Sequence, residues 1–135
     1  ENATLSGLEN KPIRYIVDDV LKFVLREQRR GNKYHGIIMD PPSYGRGPKG
    51  EIWKLENELY GLVEECVKIL DDKPLFFLIN SYTTGLSSSV LSNILKITMK
   101  GKFAIKSVVA DEIGIPVEDS GVVLPCGSTA RCLFE

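Results

Sequence analysis

The sequence predicts an α/β domain built on a largely parallel sheet. Short apolar runs of strand length alternate with amphipathic segments of helix length, which is the pattern of βαβ units. Acidic, small polar and aromatic residues gather directly after those runs, at the strand ends where open α/β sheets bind ligands. The 135 residues, 43% hydrophobic and 26% charged, make one domain's worth of chain, able to bury about two-thirds of its unfolded surface.

Each element has its own reason. Leu5 and Leu8, set among polar residues around Gly7, read as the end of a helix. With no initiator methionine, the chain reads as a fragment of a longer protein. Ile13-Arg14-Tyr15-Ile16-Val17, rich in β-branched and aromatic residues after Pro12, predicts a first strand. Asp18 or Asp19 then caps a helix running to about Arg30, with Val20, Leu21, Val24 and Leu25 on its apolar face. Gly31-Asn32 stops it. Residues 36–39 are short and uniformly apolar, as expected of a strand buried on both faces. Asp40-Pro41-Pro42 ends that strand, because prolines cannot continue a central ladder.

Residues 43–52 read as a Gly/Pro/Lys-rich loop. Leu55, Leu59, Leu62, Val63, Cys66, Ile69 and Leu70 fall on one helical face. Asp71-Asp72-Lys73-Pro74 turns the chain into a strand at 75–79. Ser87-Ser88-Ser89 caps a third helix carrying Val90, Leu91, Ile94 and Leu95. Residues 103–110 predict another strand, and 121–134 one or two more, broken at Pro125-Cys126-Gly127.

Composition narrows the function. Seventeen basic residues against 18 acidic ones give no global basic excess, so strong non-specific nucleic-acid binding is not expected. The longest apolar run, Leu75-Phe76-Phe77-Leu78-Ile79, is far short of the roughly 20 residues of a membrane span, and no membrane partner is expected. The three cysteines, Cys66, Cys126 and Cys132, cannot all pair within one chain; a sparse, odd set suits reduced thiols and a cytoplasmic location.

The strand ends concentrate the chemistry. Two prolines after Asp40 fix the backbone and leave strand-end carbonyls without a following amide partner. An ionised Asp is an acceptor only. A rigid group of acceptors suits an amino or imino donor on a planar base; the alternative reading is plain turn punctuation. The loop that follows holds Arg46, Lys49 and Lys54 around Trp53, which suits either phosphate contacts with base stacking or a solvated loop with the indole packed on the core. Arg26, Arg29, Arg30 and Lys33 precede the second strand and read as a solvated helix end favouring its dipole. His35 lies on that same far side and reads as structural.

Ile37-Ile38-Met39-Asp40-Pro41-Pro42-Ser43-Tyr44 resembles motif IV of the class I S-adenosylmethionine (SAM)-dependent methyltransferases, most closely the bacterial ribosomal-RNA type with a long Gly/Lys-rich loop after Asp-Pro-Pro. The resemblance extends to Val17-Asp18-Asp19-Val20 and to Gly121-Val122-Val123-Leu124-Pro125-Cys126-Gly127, and covers nearly the whole chain. It implies a Rossmann-like fold, truncated: residues 1–135 would be the C-terminal part of a single catalytic domain, lacking its first two strands and its Gly-rich turn. Half of the cofactor site would then be absent, and residues 13–17 would have to pair differently or stay marginal.

The resemblance also implies roles. SAM would be the cofactor, with no metal; no His/Cys spacing here resembles a zinc site. Asp19 would accept from the adenine amine and the Val20 N–H would donate to the ring, with Asp18 the alternative offset by one residue. From the residues alone, either Asp is a helix cap, and one side chain can do both. Asp40, Pro41 and Pro42 would form the catalytic group, Asp40 also facing the methyl donor. In members that methylate amino nitrogens, the Asp side chain and a backbone carbonyl hold the N–H donors, so positioning dominates catalysis.

Such members often carry an aromatic residue directly after the prolines to stack on a flipped base; here that position is Ser43, and Tyr44 follows. Ser43, Tyr44, Arg46, Lys49 and Tyr82 are the substrate-side candidates. Cytosine-C5 methylation needs a cysteine nucleophile, and Asn80-Ser81-Tyr82-Thr83-Thr84 offers none. Cys126 is the remaining candidate, against the reading of a small buried thiol in a turn. The function expected is methylation of a nucleobase nitrogen of RNA. The alternatives are an inactive α/β fragment that self-associates, as a homodimer through exposed sheet edges, and a methyltransferase for a protein or small molecule.

Overall fold

A computed structural model describes residues 1–47 and 49–135 of the chain. Helix α1 spans Asn2–Leu5 and α2 Val20–Arg30. Strand β1 is Gly36–Met39, followed by a small ribbon, β2 (Tyr44–Arg46) and β3 (Ile52–Lys54), and by α3 (Leu55–Val67). Then come β4 (Phe76–Ser81), α4 (Ser88–Met99), β5 (Ile105–Pro116) and β6 (Val123–Phe134). The main sheet has the order β1-β4-β6-β5. β1 and β4 run parallel, whereas β6 is antiparallel to both β4 and β5. The expected largely parallel sheet is therefore mixed, one parallel pair carrying an antiparallel ribbon.

The core follows the apolar spacing. α3 buries Leu55, Leu59, Leu62, Val63 and Cys66 at helical intervals, and α4 buries Leu91, Leu95 and Met99. These meet Phe77 and Ile79 of β4 and Ala130 and Cys132 of β6. In β4 the buried Phe77, Ile79 and Ser81 alternate with half-buried neighbours, so the helices cover one face of the sheet. Replacing Leu95, which is wholly buried, by Ala should cost about 2–5 kcal/mol.

α2 is anchored by a different device. Gly31 ends it in the left-handed conformation, φ +70°, which glycine adopts without steric cost. One turn back, Glu27 is only 2% exposed. Its carboxylate accepts from the Tyr34 hydroxyl at 2.5 Å, Asn32 Nδ2 at 2.8 Å and Arg30 Nη1 at 3.0 Å. Those bonds, the Tyr34 hydroxyl first, hold the Glu27 carboxyl down at about 2. Burial and the Glu27 charge push the Tyr34 phenol up to about 12. This network ties the end of α2 to the entry of β1.

Several expectations are corrected. Residues 13–17 form no strand: no neighbouring strand pairs with them among the described residues, and Ile13 N–H bonds only locally, to the Lys11 carbonyl. Strand propensity measures fit to a pleated, half-buried surface, and without a neighbour that stabilisation is not realised. β1 is not buried on both faces; Ile38 is 68% exposed, because it pairs with Leu78 on the face opposite Phe77 and Ile79, which the helices leave uncovered. Within 43–52 the chain forms β2 and starts β3 instead of a plain loop. The 75–79 strand begins one residue later, leaving Leu75 exposed, and runs on to Ser81. β5 continues to Pro116, beyond the expected Ala110. β6 runs through Pro125-Cys126-Gly127 as one strand, but its register shifts there: Gly127 pairs with Ile113 and Pro125 with Gly114, which leaves Cys126 without a partner on β5. Pro125 is tolerated there because it lies beyond the last β4–β6 pair, Ser81–Ser128, so its missing N–H faces no third strand.

Candidate active site

Because β1 and β4 are parallel neighbours, the residues after them emerge side by side at one edge of the sheet. Asp40 follows β1 and Tyr82 follows β4. The Tyr82 hydroxyl donates to Asp40 Oδ2 at 3.3 Å, and the Asp40 charge raises the Tyr82 phenol above its usual range. Two further bonds brace the segment after Asp40. Thr83 Oγ1 donates to Ser43 Oγ at 2.8 Å. Trp53 Nε1 donates to the Pro42 carbonyl at 2.7 Å. Trp53 is half-buried against the core, where its indole braces this segment, and it also lines the cavity beside β1.

β6 closes the far side of this edge. A Cβ on Gly127 would lie 2.3 Å from the Ser81 carbonyl oxygen, and Gly127 has φ +110°. Only glycine permits so close a backbone approach. Cys126, the residue before Gly127, is thereby held at this edge, and its thiol donates to the Leu124 carbonyl at 3.4 Å.

A cavity of about 1050 Å³ opens beside β1. It brings together Asp19 and Val20 from the start of α2, Asp40, Pro41 and Pro42 from the end of β1, and Arg46 from β2. Its floor is apolar, with Ile37, Ile38 and Met39. Asp19 caps α2, accepting from the Lys22 N–H at 2.9 Å, as its capping role requires. Asp18 is turned away: it binds Arg26, which lowers its carboxyl, and lines a separate hollow with Arg14 and Phe23. Of the two carboxylates, Asp19 is the one that lines the cavity with Asp40.

The substrate-side candidates divide. Arg46 lines the cavity, and its Nε donates to the Tyr44 hydroxyl at 2.9 Å. Ser43 and Tyr82 connect to Asp40 and to the β4 end through the bonds above, without lining the cavity. Lys49 does not line it either; its backbone N–H donates to Glu51 Oε2 at 2.9 Å. The other basic cluster is engaged elsewhere. Arg26 binds Asp18, Arg30 binds Glu27, and Lys33 Nζ donates to the Lys68 carbonyl at 2.8 Å. His35 lies 3.9 Å from Asp71, before β1 and away from Asp40. Among the described residues no three His, Cys, Asp or Glu side chains gather to hold a metal ion, and no helix is long and apolar enough to cross a membrane.

Sequence patterns missed three parts of this arrangement. The Trp53–Pro42 bond spans 11 residues and depends on the unforeseen β2–β3 ribbon. The Gly127–Ser81 approach had a signal in the glycine after Pro125-Cys126, read only as a break. Glu27 stands among the cations read as a solvated helix end, yet it lies three residues after Val24 and seven after Val20, the spacing of the apolar face.

No protein-family model and no curated protein sequence matches the chain. Solved structures do. A SAM-dependent methyltransferase from Agrobacterium tumefaciens superposes with a TM-score of 0.86 and 35% identity, over 98% of this chain and 44% of that one. SMU.776, described as a methyltransferase and solved with S-adenosylhomocysteine (SAH), matches with a TM-score of 0.69 and 16% identity, over 98% of this chain and 34% of that one. Precorrin 8w decarboxylase from Methanobacterium thermoautotrophicum matches with a TM-score of 0.56 and 10% identity, over 99% of this chain and 60% of that one. The last two identities speak to fold alone. The chain spans less than half the length of the first two proteins. Its mixed α/β sheet, superposed at that TM-score on a sequence 35% identical to it, gives the chain the fold of the SAM-dependent methyltransferases.

Proposed function

We propose that this chain is part of a SAM-dependent methyltransferase that acts on a nucleobase nitrogen of RNA, ribosomal RNA by the resemblance of its Asp-Pro-Pro-Ser-Tyr motif. The observation that carries the reading is the shared cavity of Asp19, Val20, Asp40, Pro41 and Pro42. The donor set fits the adenosyl part of SAM. Apolar Val20, Ile37 and Ile38 can flank a purine, and Asp19 keeps a carboxylate oxygen beyond the one that caps α2. When bound, SAM supplies an electrophilic methyl group.

The chain's own residues then supply position. Asp40 and the Pro41 carbonyl accept N–H donors from the target nitrogen and orient its lone pair. Tyr82 fixes the Asp40 carboxylate from one side, and Trp53 holds Pro42 from the other. Arg46 offers a phosphate contact at the cavity. The three free thiols, two of them buried, suit work in a reducing cytoplasm.

The test is an NMR titration of the 15N-labelled chain with SAH at millimolar concentration, alongside calorimetry. Shifts confined to residues 19–20 and 40–43 support the reading. Shifts that saturate but map elsewhere overturn it.

One observation favours a second reading. Beyond β4 the β5–β6 ribbon carries Asp111, Glu112, Glu118 and Asp119, with no Lys or Arg between Lys106 and Arg131. That ribbon repels phosphates at the same end of the sheet, which suits a protein or small-molecule substrate. RNA binding whose affinity falls steeply with salt supports the first reading over the second.

A further inference from the structure

The corner after β1 is held by donors from three directions. The Tyr82 hydroxyl reaches Asp40 Oδ2 at 3.3 Å, and Trp53 Nε1 reaches the Pro42 carbonyl at 2.7 Å. The Leu55 N–H, at the start of α3, reaches the Ser43 carbonyl at 3.1 Å. Ser43 Oγ accepts from Thr83 Oγ1 at 2.8 Å. Among the described residues no donor is bonded to the Pro41 carbonyl or to the second Asp40 carboxylate oxygen.

Two of these bonds come from adjacent residues. Tyr82 holds Asp40 and Thr83 holds Ser43, the residues on either side of Pro41 and Pro42. Each proline fixes its own φ, so tying both ends of the pair leaves the Pro41 carbonyl little freedom to turn. Thr83 is itself a fixed support. Its N–H donates to Ser81 Oγ at 3.1 Å, and its carbonyl accepts from the Leu86 N–H at 3.2 Å. Its hydroxyl is the group given to Ser43. Ser81 is only 2% exposed, and Gly127 packs against its carbonyl. The corner is therefore anchored to the buried end of β4.

We propose that Thr83 is a positioning residue of the methyl-transfer site. Through Ser43 it fixes the far end of the Asp40-Pro41-Pro42 corner, so that the Pro41 carbonyl and the open Asp40 oxygen are presented together to the N–H donors of the target. Ser43 is then an anchor of the corner and not a contact to the target. This rests on the reading of Asp40 and the Pro41 carbonyl as the acceptors for the target nitrogen.

The experiment is NMR on the ligand-free chain carrying Thr83→Val, which keeps the shape of the side chain and drops the hydroxyl. Beside it stands Thr83→Ser, which keeps the hydroxyl. Ser43 is exposed, so water can take up the lost bond and the fold should hold. Thr83→Val should shift the Ser43 amide and the indole N–H of Trp53, the single tryptophan of the chain. It should also bring the Tyr82 phenol, raised chiefly by the Asp40 charge, closer to its ordinary titration. Thr83→Ser should restore all three signals, and the Tyr34 hydroxyl should move in neither variant. A Thr83→Val chain with all three signals unmoved overturns the proposal, whether or not its unfolding temperature falls. So does a Thr83→Ser chain that disturbs them as much as Thr83→Val. SAH shifts that saturate away from residues 40–43 remove the site that Thr83 would serve even with the variant effects intact, so the two failures are told apart.

Discussion

Glu27 and Asp40 flank β1 at its entry and its exit, and their surroundings could hardly differ more. Glu27 is almost wholly buried and accepts from three side chains. Asp40 is exposed, and one hydroxyl reaches it, at 3.3 Å. A carboxylate that is shut off from solvent and already accepts three bonds has little left for a ligand, so its energy goes into holding the fold. A carboxylate braced by one long bond at the mouth of a cavity still has acceptor capacity to offer. The contrast teaches where to look: bonded-out charge marks structure, and under-bonded charge on a rigid strand end marks a site.

The largest effect should separate these two residues. Glu27→Ala leaves the Tyr34 hydroxyl and the Asn32 amide without their acceptor in a half-buried setting, which is the costly way to lose a hydrogen bond. Thermal unfolding followed by circular dichroism should show a drop in Tm several times that of Asp40→Ala. Asp40→Ala, at an exposed position, should change stability by only about 0.5 kcal/mol while removing any SAH-dependent shift at Ser43. Equal losses for the two variants would break the comparison.

Acid and alkali sharpen it further. The Glu27 carboxyl is held at about 2 in the folded chain, below its ordinary 4.5. Its contribution is therefore complete above the ordinary value and is lost as pH falls from there toward 2. The Tyr34 phenol is raised from 10 to about 12, so its contribution is complete below 10 and is lost as pH rises through 12. Urea midpoints against pH should show a plateau with two falling limbs. Since burial is the main cause at Tyr34, Glu27→Gln should flatten the acid limb and leave most of the alkaline one.

How much of this was legible depended on whether the signal was local. Periodicity located α2, α3 and α4 and the strands around Ile37 and Phe77, because one buried face imposes a fixed spacing on the chain. The Asp-Pro-Pro corner was legible for the same reason: two prolines dictate their own backbone. Residues 13–17 misled because β-branched residues specify a strand only when another strand lies beside them. Ile38 misled because apolar character says nothing about whether a neighbour covers it. The Tyr82–Asp40 and Trp53–Pro42 bonds were illegible, since each depends on the relative placement of elements far apart in sequence.

The Asp40 end also has a structural hinge point of its own. Gly127→Ala puts a Cβ against the Ser81 carbonyl and strains a positive φ. It should cost about 1–3 kcal/mol and, by pushing β6 from β4, lengthen the Tyr82–Asp40 contact. The Tyr82 phenol would then titrate closer to its usual range, since the Asp40 charge is the main cause of its shift. An unchanged Tyr82 titration in a destabilised Gly127→Ala chain would show that β6 supports the fold without supporting the site.

The smallest effect concerns the thiols, and it reads the same contrast at no cost to stability. Burial pushes Cys66 up to about 12 and Cys132 up to about 11, so neither supplies thiolate near neutral pH. Cys126 is partly exposed at the site edge. A thiol reagent at pH 8 should label Cys126 first, and the other two only when the chain unfolds. Because Gly127 pins this stretch of β6 against Ser81, an adduct on Cys126 should shift the Tyr82 amide while leaving the Tyr34 hydroxyl and its Glu27 bond untouched. A label that disturbs both ends of β1 would mean that the two regions are coupled through the strand, and that the structural and the ligand-facing carboxylate do not act separately.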